Sequence, residues 1–438
     1  VFEPGVSTNW TAYMFSGCEN LTTVDLSELD TSRVTDMKAM FSSCSSLASL
    51  DLTPLNTSNV TDMTRMFANC TNLTSIDFSG FNTAQVKRME SMFVACGKLA
   101  ALDLSTFDTS NVTTMYNMFL GCESLASLNV SSFNTANVIT MGYMFGGCEA
   151  LTSLDVSSFN TAKVIGMDSM FSGCTALKTL NLGRLNTSSV KNMSDMFNGC
   201  KVLTSLDVSS FDTSKVTNMN GMFGGCYALE TLDLSSFNTS SVENMGYMFQ
   251  VCKALTSVDV SSFDTTNVTK MDSMFAGCVA LEVLDLGSFN MSNVRDAKYM
   301  FQGCNNLRTI YASDAFAVSR YTACDSMFSY CYVLVGGMGT AYDSMHVGWE
   351  YARIDGGTAA PGYLATKRGD VNGNGWLNVV DAQLAYDIAL GKCTALPDYA
   401  AMWSRADVTG APDGGPDGQV TANDAFAIQY AALHGWGA

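Results

Sequence analysis

The motif Met-Phe-x-x-Cys ends at Cys18 and returns at Cys44, Cys70, Cys96, Cys122, Cys148, Cys174, Cys200, Cys226, Cys252, Cys278 and Cys304, eleven intervals of 26 residues without an insertion or deletion. A thirteenth copy, closing at Cys331, arrives one residue late. A period held this strictly means a solenoid in which each repeat is one coil that contacts its neighbours.

The coil CEALTSLDVSSFNTAKVIGMDSMF, beginning at Cys148, shows how one repeat is built. Leu151, Leu154 and Val156 read as a short strand facing inward, with Ser153, Asp155 and Ser157 alternating outward. Phe159 turns back to the core, and Asn160-Thr161 carries turn or N-cap chemistry. Val164, Met167, Met170 and Phe171 follow at spacings of three and four, which predict a short helical or 3₁₀ return stretch. The predicted fold is therefore an α/β solenoid, a right-handed stack of about thirteen coils whose strands pair into one parallel sheet.

A repeat turns each position into a column, and each column has a plain reading and a functional one. The cysteines sit between Phe and Leu core positions and are expected to be buried, reduced thiols, not metal ligands or an inter-coil disulfide ladder. The paired methionines, such as Met141 and Met144, read as core packing. Asp25, Asp51, Asp77, Asp103, Asp155, Asp207, Asp233, Asp259 and Asp285 share a strand column in which Asn129 and Asn181 fill gaps. Plainly read, they solvate the sheet face. The functional reading makes Asp103, Asp155, Asp207, Asp233, Asp259 and Asp285 an acidic strip that recruits cations or a basic partner. Asn134, Asn160, Asn186 and Asn238 are expected to form a structural hydrogen-bonded ladder.

A net charge of -18 with 23 Lys+Arg argues against nucleic acid and anionic membranes as partners. No apolar run approaches the roughly 20 residues that span a bilayer. The opening VFEPGVSTNW lacks Met and the features of a signal peptide, which fits a mature or trimmed start. A catalytic cluster should break the period, and none does. There is no His before Tyr311, no HExxH and no GxSxG; His346 and His434 lack base or ligand neighbours. The expectation is a non-enzymatic protein, with a carbohydrate-active enzyme as a minor alternative.

The phrase CxxLxSLDVSSFNTSxVxxMxxMF resembles the BspA-like, or DUF285, leucine-rich repeat surface proteins of bacteria. The likeness covers roughly Met14 to Cys331, and GGMGTAYDSMHVGWEYARIDGGTAAPGYLA resembles the segment that closes such arrays. It implies a secreted or cell-surface bacterial binding protein, adhesin-like, with a protein or glycan ligand. The solenoid is assigned to residues 1–335 and the closing segment and linker to 336–366.

From residue 367 to 438 the period is gone. DVNGNGWLNVVD places Asp370, Asn372, Asn374, Asn378 and Asp381 at loop positions one, three, five, nine and twelve, with Gly375 at six and the Trp376 carbonyl at seven. Such a set of oxygens suits Ca²⁺, and AQLAYDIALG should follow as a helix. A shift of 43 residues maps Asp370 onto Asp413, Asn374 onto Asp417, Trp376 onto Gln419, Asn378 onto Thr421 and Asp381 onto Asp424. Either Asp407 or Asp413 heads this second site, because Gly415 stands at a ligand position and GAPDGG is inserted. Two loop–helix units resemble a type I dockerin, a small all-α domain. That resemblance implies two Ca²⁺ ions and a cohesin-like partner. Together these readings predict a non-catalytic binding solenoid tethered through a calcium-dependent dockerin. The alternative is a self-assembling subunit of an extracellular filament or sheath.

Overall fold

The computed structural model describes residues 11–183, 185–318, 321–366 and 379–390, together with Ala406, Val420, Thr421, Asp424, Ala425, Ala427 and Ile428. The chain forms two compact units, one of Val1–Leu255 with Ser273–Cys278, the other of Thr256–Asp272 with Val279–Ala438.

In the first unit the coils stack in parallel at the expected 26-residue register. Two sheets of two strands form: β1 (Ala101–Leu102) pairs with β2 (Ser127–Leu128), and β3 (Ser153–Asp155) with β4 (Thr179–Asn181). The strands are short, and the predicted single long sheet is replaced by these local ladders.

The return stretch corrects a second expectation. Between Met141 and Leu151 there is no helix. The Met144, Gly146 and Cys148 N–H groups each donate three residues back, to Met141, Tyr143 and Phe145. Those of Met141, Tyr143, Phe145 and Gly147 donate instead to Gly166, Asp168, Met170 and Ser172 of the next coil, at 2.6–3.1 Å. Tandem β-turns thus alternate with an inter-coil ladder. The reason is local: Tyr143 (φ 56°) and Gly147 (φ 67°) are left-handed, which ends helix propagation every fourth residue and turns alternate amides outward. Side chains at Met141, Met144, Phe145 and Cys148 still face inward, so tandem turns reproduce the spacing of a helix.

The core is layered by column. Phe15, Phe41, Phe67, Phe93, Phe119, Phe145 and their successors to Phe275 stack ring on ring, 5.3–5.9 Å apart and within 13° of parallel. From Val34, Met37, Phe41, Cys44 and Leu47 onward the Val, Met, Phe, Cys and Leu columns are buried, and this repeated burial of apolar surface drives stacking.

In the second unit, β5 (Val283–Leu286) pairs in parallel with β6 (Thr309–Ala312). The closing segment returns a strand, β7 (Leu364–Ala365), to the far side of β6, which pairs an edge otherwise left open. Its clasp is Asp355, buried, which accepts the N–H groups of Met338, Thr340 and Gly357 and the Thr340 hydroxyl at 2.6–3.0 Å. Burial alone would raise this carboxyl, but the donors hold it below the ordinary Asp value.

The helix expected in the tail forms as α1 (Val379–Ala389). Ala382, Ala385 and Ile388 share a small core with Ala406, Ala425 and Ile428. Ala425 and Ile428 are the positions 43 residues on from Ala382 and Ala385, so the internal duplication is also a packing partnership.

Candidate binding surface

Strand geometry decides what the acidic column does. A strand alternates its faces, so Leu154 and Val156 are buried while Ser153 and Asp155 are exposed. The same face of the neighbouring coils shows Ala101 and Asp103, Ser127 and Asn129, Thr179 and Asn181. Between them lies an open trough of about 520 Å³ lined by Asn129, Ser131, Ser153, Asp155, Ser158 and Asn181, among others. A second, of about 450 Å³, adjoins it at Asp103 and Ser127.

Every aspartate of this column has a structural duty. Its Oδ1 accepts the N–H two residues on: Ser105 to Asp103 and Ser157 to Asp155 at 2.9 Å, Ser209 to Asp207 at 3.0 Å, Ser235 to Asp233 at 2.9 Å. In the second unit, Ser261 donates to Asp259 at 2.9 Å and Gly287 to Asp285 at 3.0 Å. These Asx turns keep the strands to two or three residues in the first unit and to four in β5. Asn129 and Asn181 do the same with an amide oxygen, at 3.0 and 3.1 Å. Asp and Asn interchange because the turn needs only the acceptor.

The donated hydrogen bonds lower the Asp25, Asp51, Asp103, Asp155, Asp207 and Asp233 carboxyls below the ordinary value, so these six are ionised at neutral pH. Only the Oδ2 edge remains for a partner. At Asp155 it already accepts Asn181 Nδ2 at 3.1 Å.

The asparagines after the Phe column are also turn caps, not the ladder expected of them. Asn134 and Asn160 Oδ1 accept the N–H two residues on, at 3.1 and 3.2 Å. The ladder belongs to the buried threonines beside them, Thr31, Thr57, Thr83, Thr109, Thr135, Thr161 and Thr187, whose hydroxyls bridge to the next coil. Their role was legible only as a Thr in ten successive coils, Thr31 to Thr265, at a core-adjacent position.

The cysteines are free, and buried from Cys44 onward among the described residues. From Cys44 to Cys278, and again at Cys331, the thiol donates to the carbonyl of a Phe in the preceding coil, as Cys70 to Phe41 at 3.1 Å and Cys174 to Phe145 at 3.1 Å. Burial pushes the Cys96, Cys174 and Cys252 thiols up to about 12, so they are neither thiolate nucleophiles nor ready ligands.

Among the described residues no three His, Cys, Asp or Glu side chains gather to hold a metal. Of the calcium-loop candidates, Asp370, Asn372, Asn374, Trp376, Asn378, Asp407, Asp413, Asp417 and Gln419 lie outside the described residues. Asp381, Thr421 and Asp424 are described. Both carboxylates are buried, at 0% and 1% exposure, in the first turns of two helical segments. Asp424 Oδ2 accepts the Thr421 N–H at 2.7 Å and its hydroxyl at 2.8 Å, a capping arrangement. Asp381 and Asp424 stand at position twelve of the two loops read from the sequence.

A family model, "Mycoplasma protein of unknown function, DUF285", matches residues 9–101, 95–203, 177–259 and 230–336. The chain belongs to the DUF285 family. The matched segments overlap and together run from residue 9 to residue 336 of this DUF285 chain. The curated proteins give no significant match. Among solved structures, the DUF285 chain is similar to a leucine-rich repeat protein from Bacteroides ovatus, with 20% identity over 76% of this chain and 81% of that one, TM-score 0.39. It is similar to a leucine rich cell surface protein from Faecalibacterium prausnitzii, with 19% identity over 63% and 81%, TM-score 0.34. It is also similar to the functional domain of InlJ from Listeria monocytogenes, described as including a cysteine ladder, with 18% identity over 68% and 62%, TM-score 0.29. No helix among the described residues is long and apolar enough to cross a membrane.

Proposed function

We propose that this chain is a non-catalytic binding protein, secreted or displayed on a bacterial surface, whose strand face meets a protein or glycan ligand. One observation carries the reading. The acidic groups on that face are spent one per coil on turn caps, while small hydroxyl and amide side chains, Ser127, Ser153, Thr179, Asn129 and Asn181, are left exposed around an open trough. A repeated polar strip suits extended recognition; it concentrates no acid, base or nucleophile at one point. The test is an array of extracellular-matrix proteins and glycans probed with the full chain and with a Ser127→Lys, Ser153→Lys, Thr179→Lys variant. Spots bound by the parent and lost by the variant are expected. Spots shared by both, or none, would overturn the reading.

The tail completes the proposal as a calcium-dependent, dockerin-like tether to a cohesin-like module. Asp370, Asn372, Asn374, Asn378, Asp381 and the Trp376 carbonyl would hold one Ca²⁺. Asp407 or Asp413, with Asp417, Gln419, Thr421 and Asp424, would hold the second. The ion would tie each loop to the start of its helix. The duplicated core around Ala382 and Ala425 and the buried Asp381 and Asp424 support this. Calorimetric titration of the full chain with Ca²⁺ should show two events, one lost in Asp381→Ala and the other in Asp424→Ala. Silence at millimolar calcium would remove the tether. Calcium-dependent growth in particle size would instead favour the filament alternative.

A further inference from the structure

In a repeat protein, a position that departs from its column without structural need marks local selection. One column of the return stretch reads Thr35, Thr61, Lys87, Thr113, Ile139, Ile165, Lys191 and Thr217. The threonines donate across coils, Thr61 to the Thr35 carbonyl and Thr113 to the Lys87 carbonyl, both at 3.1 Å. Ile139 and Ile165 give up that bond yet remain 46% and 48% exposed, so burial does not repay it. Thr already provides β-branching, so apolarity is all that Ile adds. The two lie side by side, the Ile165 N–H donating to the Ile139 carbonyl at 2.9 Å.

Further along the same coils, other columns break as well. Gly142 and Gly166 replace side chains, and a Cβ on Gly142 would lie 2.9 Å from Tyr116 Cε2 and 3.0 Å from both Asp168 carboxylate oxygens. The Tyr116 ring and the Asp168 carboxylate therefore close together over bare backbone. Tyr143 meets Tyr116 edge to face at 5.8 Å. Asp168 is half-buried and, among the described residues, makes no ion pair; nor does Asp195 in the next coil, whose Oδ1 accepts Asn198 Nδ2 at 3.0 Å. Burial raises both carboxyls above the ordinary value, and the charge of Asp168 adds to the rise at Asp195. Two neighbouring carboxylates, partly stripped of water and with no cation paired to them among the described residues, favour an incoming cation. Lys191, next in the isoleucine column, pairs with neither.

We propose that Ile139, Ile165, Tyr116, Tyr143 and Asp168 form a docking site for a segment of a partner protein in which a lysine or arginine is flanked by aliphatic side chains. The aliphatic groups cover the isoleucine pair, and the cation lies against the tyrosine ring and the Asp168 carboxylate. This surface belongs to the return stretch, and it stands whether or not the strand face binds a ligand.

The test uses the full chain and three fluorescent nonapeptides, identical except for a central Lys, Gln or Glu between pairs of Ile and Leu, read by anisotropy. The Lys peptide should bind at least 10-fold tighter than the Gln peptide, and the Glu peptide weakest. Ile139→Thr with Ile165→Thr restores the column consensus and should weaken all binding at least 10-fold with the thermal midpoint unchanged or raised. Asp168→Asn should erase the preference for Lys over Gln. Absent binding, no preference for Lys, binding indifferent to the isoleucines, or a lowered midpoint in the double variant would each overturn the proposal.

Discussion

The Thr135 hydroxyl donates to the Asn160 carbonyl at 3.0 Å and accepts the Asn160 N–H at 2.7 Å, one side chain satisfying both backbone groups of one residue in the next coil. Buried, it replaces two ladder bonds that the turn at Asn160 could not otherwise make. Thr135→Val keeps the shape and orphans both groups, so it should cost about 1–3 kcal/mol, whereas Thr135→Ser should lose less. Urea unfolding of the two variants checks this; equal losses would show that the methyl, not the hydroxyl, matters.

Val251 holds φ at 59° in a column where Gly147, Gly173, Gly199, Gly225 and Gly277 sit near 70°. A β-branched residue in this region is strained by about 1–2 kcal/mol, and glycine costs about 0.5–1 kcal/mol in chain entropy. Val251→Gly should therefore stabilise by up to about 1 kcal/mol. A lowered midpoint on thermal unfolding would mean that Val251 gains more from its packing against the coil of Gly277 than it loses in strain.

The strand carboxylates set the acid limb of stability. Their folded values lie below the ordinary 3.8, so each contributes stability that is fully present above that value and is lost as pH falls through the lower folded value. Asp103→Asn, Asp155→Asn, Asp207→Asn and Asp233→Asn together keep the turn acceptor, as Asn129 and Asn181 do naturally. The combined variant should be less stable than the parent at pH 7, converge on it below pH 4 and so show a shallower acid limb, measured by denaturant midpoints across that range. An equal acid limb would exclude the caps as its source.

Thiol chemistry gives a burial map. In the native state iodoacetamide should modify Cys18, which is exposed, and spare Cys96, Cys148 and Cys174, because the buried thiols resist forming thiolate. Peptide-resolved mass spectrometry before and after urea reads the difference. Native labelling at Cys148 would show that the column opens locally.

The period, the inward Leu, Val, Met, Phe and Cys columns, the parallel stacking and the tail helix were all legible in the sequence. A 26-residue repeat without insertions leaves one way to bury the same face in every coil, so burial follows from spacing alone. What spacing could not distinguish was tandem turns from a helix at Met141–Cys148, since both place residues three and four apart on one side. The left-handed Tyr143 and Gly147 decided that, and left-handed backbone at a tyrosine has no signal in composition. Nor could sequence assign the duties of the polar columns. Asp155 reads as charge but acts as a turn acceptor, and Thr135, not Asn160, carries the ladder, because a hydrogen bond depends on which backbone group lies within 3 Å across a coil. The exposure of Ile139 and Ile165 is likewise a tertiary fact: an apolar residue in a repeat reads as core until the fold turns its position toward solvent.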